Sequence, residues 1–361
     1  MKRKQRILVA PLDWGLGHTT RCMPLIQHLI GQGHTVLLAA EGSAAQLLRE
    51  RFPQLSILPL KGYRISYARS SATFMLKLLL QLPKMLGAIR REHRWLQRIV
   101  ADFQIDLVIS DNRYGLYHNK VQSVIMTHQL QIISGWGRWV DNILLHMHRK
   151  MLNRFDQCWV VDTEASPGLA GALSHPAVRP KHTQYLGWLS QFADITEQQP
   201  QQSGHFLVLL SGPEPMRGQL EQILWQQCSA LSEYRFTFVA GKPGAKARAQ
   251  QPAHIQWYAH LQGEALAKEL MKASAVICRS GYSTLMDLLI LQRPALLIPT
   301  PGQTEQEYLA QHIQACKLPF ISRKQSELCL KEDLKLLSRI EMMPFIEKSG
   351  KEFIEILESW I

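Results

Sequence analysis

His18 closes a short turn, Asp13-Trp14-Gly15-Leu16-Gly17-His18, which follows an apolar run at residues 6–12 and precedes a helical pattern from about Thr19. An imidazole with an ordinary pKa near 6.5 can take a proton from a hydroxyl at neutral pH. Gly15 and Gly17 let the backbone adopt positive φ and approach a ligand closely. The N-terminus of the following helix offers amide hydrogens and the positive end of a dipole to negative charge. One histidine among 14 would by itself be read as a cap or a polar loop residue. The Gly-x-Gly-His turn at the first strand–helix junction makes it the candidate general base. Asp111, at the end of the run 105–111, is the candidate carboxylate to orient it. The third glycine of a dinucleotide fingerprint is missing, which disfavours simple NAD binding.

A second group of residues reads as a nucleotide cradle. A buried-strand run at 275–278 ends in Arg279-Ser280-Gly281, and a helix follows with Ser283 and Thr284 in its first turn. Small residues at a helix start hydrogen-bond phosphate oxygens and expose backbone N–H groups. Asp287 lies further along that helix, where a carboxylate can accept from both hydroxyls of a ribose. The next strand, 294–299, leads to Gln303, Glu305, Gln306 and Glu307, whose amides and carboxylates suit sugar hydroxyls. Ser211 and Gly212, with Arg217 just beyond, and Gly241, beside Lys242, occupy two further strand-end loops. Cap and loop chemistry explains Ser280 and Gly281 alone, but not the whole series.

The elements that must position these groups are short apolar runs. In the first half they lie at 6–12, 35–41, 55–60, 105–111, 123–128, 158–163 and 185–189. In the second they lie at 205–210, 235–240, 255–258, 275–278, 294–299 and, more weakly, 320–322. They are continuous rather than alternating, as parallel strands covered on both faces require. Strands alternating with helical spacers predict an α/β chain of two Rossmann-like doubly wound domains, with ligands at the carboxyl ends of the strands. The expected division is 1–190, a polar linker at 191–204, 205–340, and a C-terminal helical segment at 341–361.

Composition narrows the function classes. Residues 1–200 carry 24 Lys and Arg against 13 Asp and Glu, and residues 201–361 carry 17 against 16, so the net charge of +12 sits almost wholly in the first half. The six cysteines form no Cys-x-x-Cys pair, and no Asp-x-Asp or His/Cys set marks a metal site; no metal or cofactor is expected. No apolar stretch reaches the ~20 residues of a membrane span, and no signal peptide is visible, so a cytoplasmic location is expected. A nucleic-acid partner is disfavoured, because no helix-turn-helix or RNA-binding signature accompanies the charge. His34, His118, His146 and His148 read as surface or packing residues.

Residues 276–281 through Asp287, followed by Pro294-Ala295-Leu296 and Ile298-Pro299, resemble the GT-B glycosyltransferases, specifically the group that contains MurG. The likeness spans nearly the whole length and implies two domains facing across a cleft, with a UDP-sugar donor in the C-terminal half. It implies that Asp287 binds the donor ribose, that Gln306 and Glu307 touch the donor sugar, and that the backbone near His260 and Leu261 lies beside the base. It places Gly15, Gly17 and His18 at the acceptor and diphosphate side. It matches 126–129, and so His128 and Gln129, to an acceptor-side segment in shortened form. The turn at 13–18 is less glycine-dense than that of the peptidoglycan enzyme, and Ser211-Gly212-Pro213-Glu214-Pro215 replaces a Gly-Gly-Ser-x-Gly turn. Both departures argue against the peptidoglycan reaction itself and leave the sugar and the acceptor open.

The expected reaction is therefore a metal-independent, inverting transfer from a nucleotide-sugar to a hydroxyl. His18 serves as base and helix N-termini, Ser280, Ser283, Thr284 and Arg217 steady the leaving diphosphate. The competing reading is a nucleotide-sugar hydrolase of the same fold. Between Lys61 and Arg98 stand nine Lys and Arg and one acid, Glu92, beside leucines and Phe74 at 74–82. A second aromatic–basic stretch holds Trp136, Arg138, Trp139 and 146–154. These predict a glycan or lipid-linked acceptor met at an anionic membrane surface, the protein lying peripherally on the inner face. Core-facing helices with solvated basic sides are the plainer alternative.

Overall fold

Each of the thirteen apolar runs overlaps a β-strand in the computed structural model, which describes residues 3–64, 80–195, 201–246, 248, 250–340 and 352–361. The chain divides into two units, each built on its own sheet. Of the described residues, 3–64, 80–191 and 352–361 belong to the first and the rest to the second. The expected linker lies partly outside the described residues, at 196–200, as do 341–351 of the C-terminal segment.

In the first unit a parallel sheet holds seven strands in the order β3-β2-β1-β4-β5-β6-β7. They are β1 (Arg6–Pro11), β2 (Thr35–Ala40), β3 (Ile57–Pro59), β4 (Leu107–Asp111), β5 (Gln122–Thr127), β6 (Gln157–Val160) and β7 (Thr183–Tyr185). Its helices are α1 (Leu16–Gly31), α2 (Gly42–Arg51), α3 (Leu82–Phe103) and α4 (Arg138–Leu152). In the second unit six parallel strands run β10-β9-β8-β11-β12-β13. They are β8 (Gln202–Leu209), β9 (Arg235–Val239), β10 (Ile255–Tyr258), β11 (Ala273–Cys278), β12 (Ala295–Leu297) and β13 (Phe320–Ser322). The helices here are α5 (Met216–Ser229), α6 (Gly263–Lys272), α7 (Tyr282–Ile290), α8 (Thr304–Ala315) and α9 (Leu330–Leu337).

Burial on both faces explains the continuous apolar runs. Ile7, Leu8, Val9 and Ala10 of β1 are all fully buried, as are Val276 and Ile277 of β11. Two strands depart from the sequence reading. β8 starts at Gln202, inside the expected linker, because its first residues are polar and exposed and carry no apolar signal. β7 ends at Tyr185, where a strand was expected to begin: Leu186, Trp188 and Leu189 are buried in a loop, so their hydrophobicity reports burial and not extension.

The last helix, α10 (Glu352–Trp360), returns to the first unit. Phe353 meets His28 edge-on at 5.9 Å, and Trp360 meets Trp159 at 5.7 Å.

Each sheet reverses its strand order once, between β1 and β4 and between β8 and β11. In doubly wound sheets the loops that splay apart at such a reversal leave a crevice at the carboxyl ends of the strands. The turn carrying His18 and Asp111 stand at the first reversal. The loops at 211–215 and 279–281 stand at the second.

Candidate active site

In the first unit the sheet register sets the geometry. Pro11 and Asp111 are partners at the ends of β1 and β4. Gly15 takes φ 90° as the N-cap of α1, a conformation that disfavours L side chains, so the chain turns there and puts His18 in the helix's first turn. His18 Nδ1 then lies 3.0 Å from Asp111 Oδ2. The Asp111 side chain is fully buried, whereas that of His18 keeps 15% of its surface exposed and so remains reachable.

Arg21, one turn further along α1, is the residue the sequence reading missed. Its Nε donates to Asp111 Oδ2 at 2.9 Å, and its Nη2 pairs with Asp111 Oδ1. Nη2 also lies 2.8 Å from His18 Nδ1, and Nη1 lies 2.9 Å from Nδ1 of His128, directly after β5. The available signal was an arginine at i+3 from His18, on a helix face otherwise occupied by Cys22, Leu25 and Leu29.

Burial lowers the pKa of His18 below its ordinary 6.5, and Arg21 lowers it further, while Asp111 pulls in the other direction and is outweighed. His18 is therefore neutral at pH 7. Burial opposes ionisation of Asp111, but the charges of Arg21 and His18 and their hydrogen bonds win and hold its pKa at about 2. A neutral imidazole against an ionised carboxylate is the arrangement a general base needs.

The turn before His18 is braced from below. Arg113, fully buried, donates from Nε to the carbonyl of Pro11 at 2.8 Å and from Nη1 to Glu92 Oε1 at 2.8 Å. Tyr63 donates its hydroxyl to Glu92 at 2.9 Å and its backbone N–H to Asp13 at 3.3 Å. Burial lifts the Glu92 carboxyl to about 6 against the pull of Arg113. Gln129 is half-buried, and its backbone N–H donates to Thr127 Oγ1 at 3.0 Å.

In the second unit the cradle residues fall into two groups. Ser283, Thr284 and Asp287 are part-exposed on α7, while Tyr282, Leu285, Met286 and Leu288 are buried. The i, i+4 spacing puts Ser283 and Asp287 on one accessible face. Gly281 is the N-cap and makes no side-chain cap. Gly241 has φ +64°, and a Cβ there would stand 2.4 Å from the carbonyl oxygen of Leu210, so only glycine lets the loops after β8 and β9 pass this closely. Ser211 and Gly212 are exposed in the first of those loops.

The other group braces the fold. The side chain of Arg279, expected at the donor, is 1% exposed. It gives bonds to the carbonyls of Ile298, Pro299 and Met216 and to Gln325 Oε1 at 2.9–3.1 Å. Arg217 donates to the carbonyl of Ala240 at 2.7 Å and pairs with Glu214 and Glu221, so its charge is countered within the unit. Ser280 Oγ donates to the carbonyl of Gln306 at 2.8 Å. Gln306 Oε1 accepts from the Thr300 N–H at 2.8 Å and Glu307 Oε1 from the Gly302 N–H at 2.9 Å, which ties both side chains to the loop that α8 follows. Gln303 is the N-cap of α8. His260 and Leu261 follow β10, with His260 Nε2 3.3 Å from Gln262 Oε1.

The helices that carry the basic stretches expose apolar side chains. Trp139, Ile143 and Met147 of α4, at successive i+4 spacings, are 77%, 42% and 57% exposed, and with Asn142 and His146 they line a shallow hollow of about 290 Å³. Leu80, Leu82 and Leu86 are exposed at the start of α3. Their neighbours at 74–79 in the sequence lie outside the described residues. Among the described residues no helix is long and apolar enough to cross a membrane.

Two doubly wound parallel-sheet units, with polar loops gathered at the reversal point of each sheet, define the GT-B class of glycosyltransferases. The chain belongs to glycosyl transferase family 1, whose model matches residues 5–335. It is 23% identical over 335 residues to an uncharacterised glycosyltransferase of Methanosarcina mazei, covering 84% of this chain and 81% of the relative. Among solved structures it is similar to the glycotransferase of kitacinnamycin, with a TM-score of 0.67 at 13% identity over 99% of this chain and 96% of that one. It is also similar to MurG of Acinetobacter baumannii, with a TM-score of 0.55 at 15% identity over 98% and 95%. At these identities the two structures establish the fold. The chain is a glycosyltransferase.

Proposed function

We propose that the enzyme moves a sugar from a UDP-sugar to a hydroxyl in one inverting displacement that needs no metal, and that its acceptor is presented at an anionic membrane surface. The observation that carries the chemistry is the neutral, part-exposed imidazole of His18 held at 3.0 Å from the ionised Asp111 at the reversal point of the first sheet. In the step, the acceptor hydroxyl gives its proton to His18 Nε2 and its oxygen bonds to the anomeric carbon. The bond from that carbon to the diphosphate breaks, and the nucleoside diphosphate leaves with the electron pair. The amide hydrogens at the start of α7, with Ser283 and Thr284, offset the charge that develops on the diphosphate. Asp287 takes the ribose hydroxyls. The amide NH2 of Gln306 and the second carboxylate oxygen of Glu307, left over by their loop bonds, face the sugar's hydroxyls. UDP as the nucleotide rests on the likeness to the MurG group.

The membrane reading rests on Trp139, Ile143 and Met147. An apolar face of this kind, on a helix that also bears Arg138, Arg149 and Lys150, suits a bilayer interface better than open water.

A thermal-shift panel of UDP, GDP, ADP, CMP and dTDP tests the donor. UDP alone, or UDP above the rest, should raise the melting temperature, and a flat panel would sink the donor reading. Incubating the enzyme with a UDP-sugar and no acceptor separates transferase from hydrolase: sugar freed at the transfer rate would mean that His18 activates water instead.

A further inference from the structure

Four charges alternate in sign around the start of α5: Glu214 in the loop after β8, Arg217 and Glu221 on the helix, and Lys242 just after β9. The middle two are sealed, with 6% and 5% of their side chains exposed. The outer two reach solvent, Glu214 at 57% and Lys242 at 34%. Arg217 Nη1 donates to the carbonyl of Ala240 at 2.7 Å and lies 3.5 Å from Glu221 Oε2, which Lys242 Nζ also meets at 2.6 Å. Arg217 Nη2 pairs with Glu214 Oε1, and Glu214 Oε2 accepts the Gly218 N–H at 3.0 Å. The seat is close-fitting: a Cβ on residue 218 would stand 2.8 Å from that Oε2.

Glu214 is the member that can leave. A sealed ion stripped of its partner is costly, which keeps Arg217 and Glu221 in place. The Glu214 carboxylate is already largely in water, and an exposed pair of this kind holds weakly. Once it turns out, Arg217 and Lys242 share the single charge of Glu221, and a guanidinium N–H and the Gly218 amide hydrogen face an uncompensated positive charge. The place is the donor crevice. The loop at 211–215 stands at the reversal of the second sheet, and Arg279, between β11 and α7, donates to the carbonyl of Met216 at 3.0 Å, which ties the start of α5 to the start of α7. A phosphate brings more charge and more acceptor oxygens to a guanidinium than a carboxylate does.

We propose that Glu214 is a built-in competitor for the donor's diphosphate: its carboxylate sits on Arg217 and the Gly218 N–H in the free enzyme, and a phosphate of the nucleotide-sugar takes that seat. This rests on the reading of the donor as a nucleotide-sugar. It makes Glu214 a specificity residue. A ligand without phosphate has nothing to put in the seat and leaves the carboxylate where it is, whereas a diphosphate displaces it and recovers the buried charge of Arg217.

Titration calorimetry of the full chain with UDP, and separately with inorganic pyrophosphate, tests this. Glu214→Ala should tighten both ligands by about 3- to 30-fold, as expected of a seat filled by the carboxylate in roughly 70–97% of molecules. Glu214→Asp keeps the charge but is one methylene too short to meet Arg217 and the Gly218 N–H together, so it should tighten both ligands as well. Unchanged or weaker binding in Glu214→Ala would overturn the proposal. So would a gain in Glu214→Ala that Glu214→Asp does not share, because that pattern is plain charge repulsion. The donor reading fails in a different way: pyrophosphate follows the expected order across the three proteins while UDP binds no better than pyrophosphate. Tight UDP binding that is equal in all three proteins keeps the donor reading and removes the competitor. No binding of either ligand to any of them would overturn both.

Discussion

His18 Nδ1 meets Asp111 Oδ2 at 3.0 Å across a separation of 93 residues. The contact follows from parallel pairing: β1 and β4 are neighbours, Pro11 and Asp111 are in register, and the Gly15 turn starts α1 beside that strand end. A side chain in the helix's first turn and one on the last residue of the adjoining strand are then within reach of a hydrogen bond.

If this pair supplies the general base, His18→Ala should lower kcat by about 10²–10⁴. UDP affinity, measured calorimetrically, should stay within a factor of about two, because the residues proposed to hold the donor lie in the other unit. Equal loss of turnover and of nucleotide binding would remove the assignment.

The pH profile has a definite sign. His18 must be unprotonated to act, and its pKa lies below 6.5, so kcat/KM should be level through neutrality and fall on the acid side with a midpoint under 6.5. Asp111→Asn removes the group that raises this pKa while Arg21 still lowers it. Its acid limb should therefore move to lower pH while the plateau drops. A limb that moves upward would contradict the geometry.

Asp287→Ala should weaken UDP binding by about 1.5–3 kcal/mol, the loss of hydrogen bonds to a charged acceptor. That corresponds to roughly 10- to 150-fold in Kd. Unchanged affinity in titration calorimetry would release Asp287 from the ribose.

Arg279 is expected to behave differently from its neighbour in the cradle. Arg279→Ala takes a donor away from the carbonyls of Ile298, Pro299 and Met216 in a buried setting. It should lower unfolding free energy by about 3 kcal/mol, at roughly 1–3 kcal/mol per unsatisfied group. UDP affinity per folded molecule should hold. A stable variant that cannot bind UDP would restore the direct donor role.

Flotation tests the membrane reading. Wild type should rise with anionic vesicles at low salt and stay down with neutral ones. A variant with Lys84, Arg90, Arg91 and Arg94 changed to Gln should lose most of that binding, at about 1 kcal/mol per well-placed cation. Trp139→Ala should weaken it without changing its dependence on salt. Wild type that ignores anionic vesicles would point to an acceptor in solution.

The sequence determined the architecture because a strand buried on both faces has no choice but to be apolar throughout. The central strands left that mark, whereas β7, Thr-Gln-Tyr and half-buried, was located only through the buried loop that follows it, and the Gly-x-Gly-His turn and the Arg279–Asp287 segment stood at strand ends where ligands bind. The likeness to GT-B enzymes, carried by residues 276–299, pointed to the same fold. What sequence could not settle was which polar residues meet a ligand and which brace the fold. Ser283 and Arg279 both read as donor residues, yet one lies on an accessible helix face and the other is sealed among carbonyls. Arg21 was not singled out from the sequence, and tertiary structure places it beside a carboxylate 90 residues away. The reason is physical: apolar burial repeats along the chain and so leaves a pattern, whereas the partner of a buried charge is fixed only by how distant strands pair.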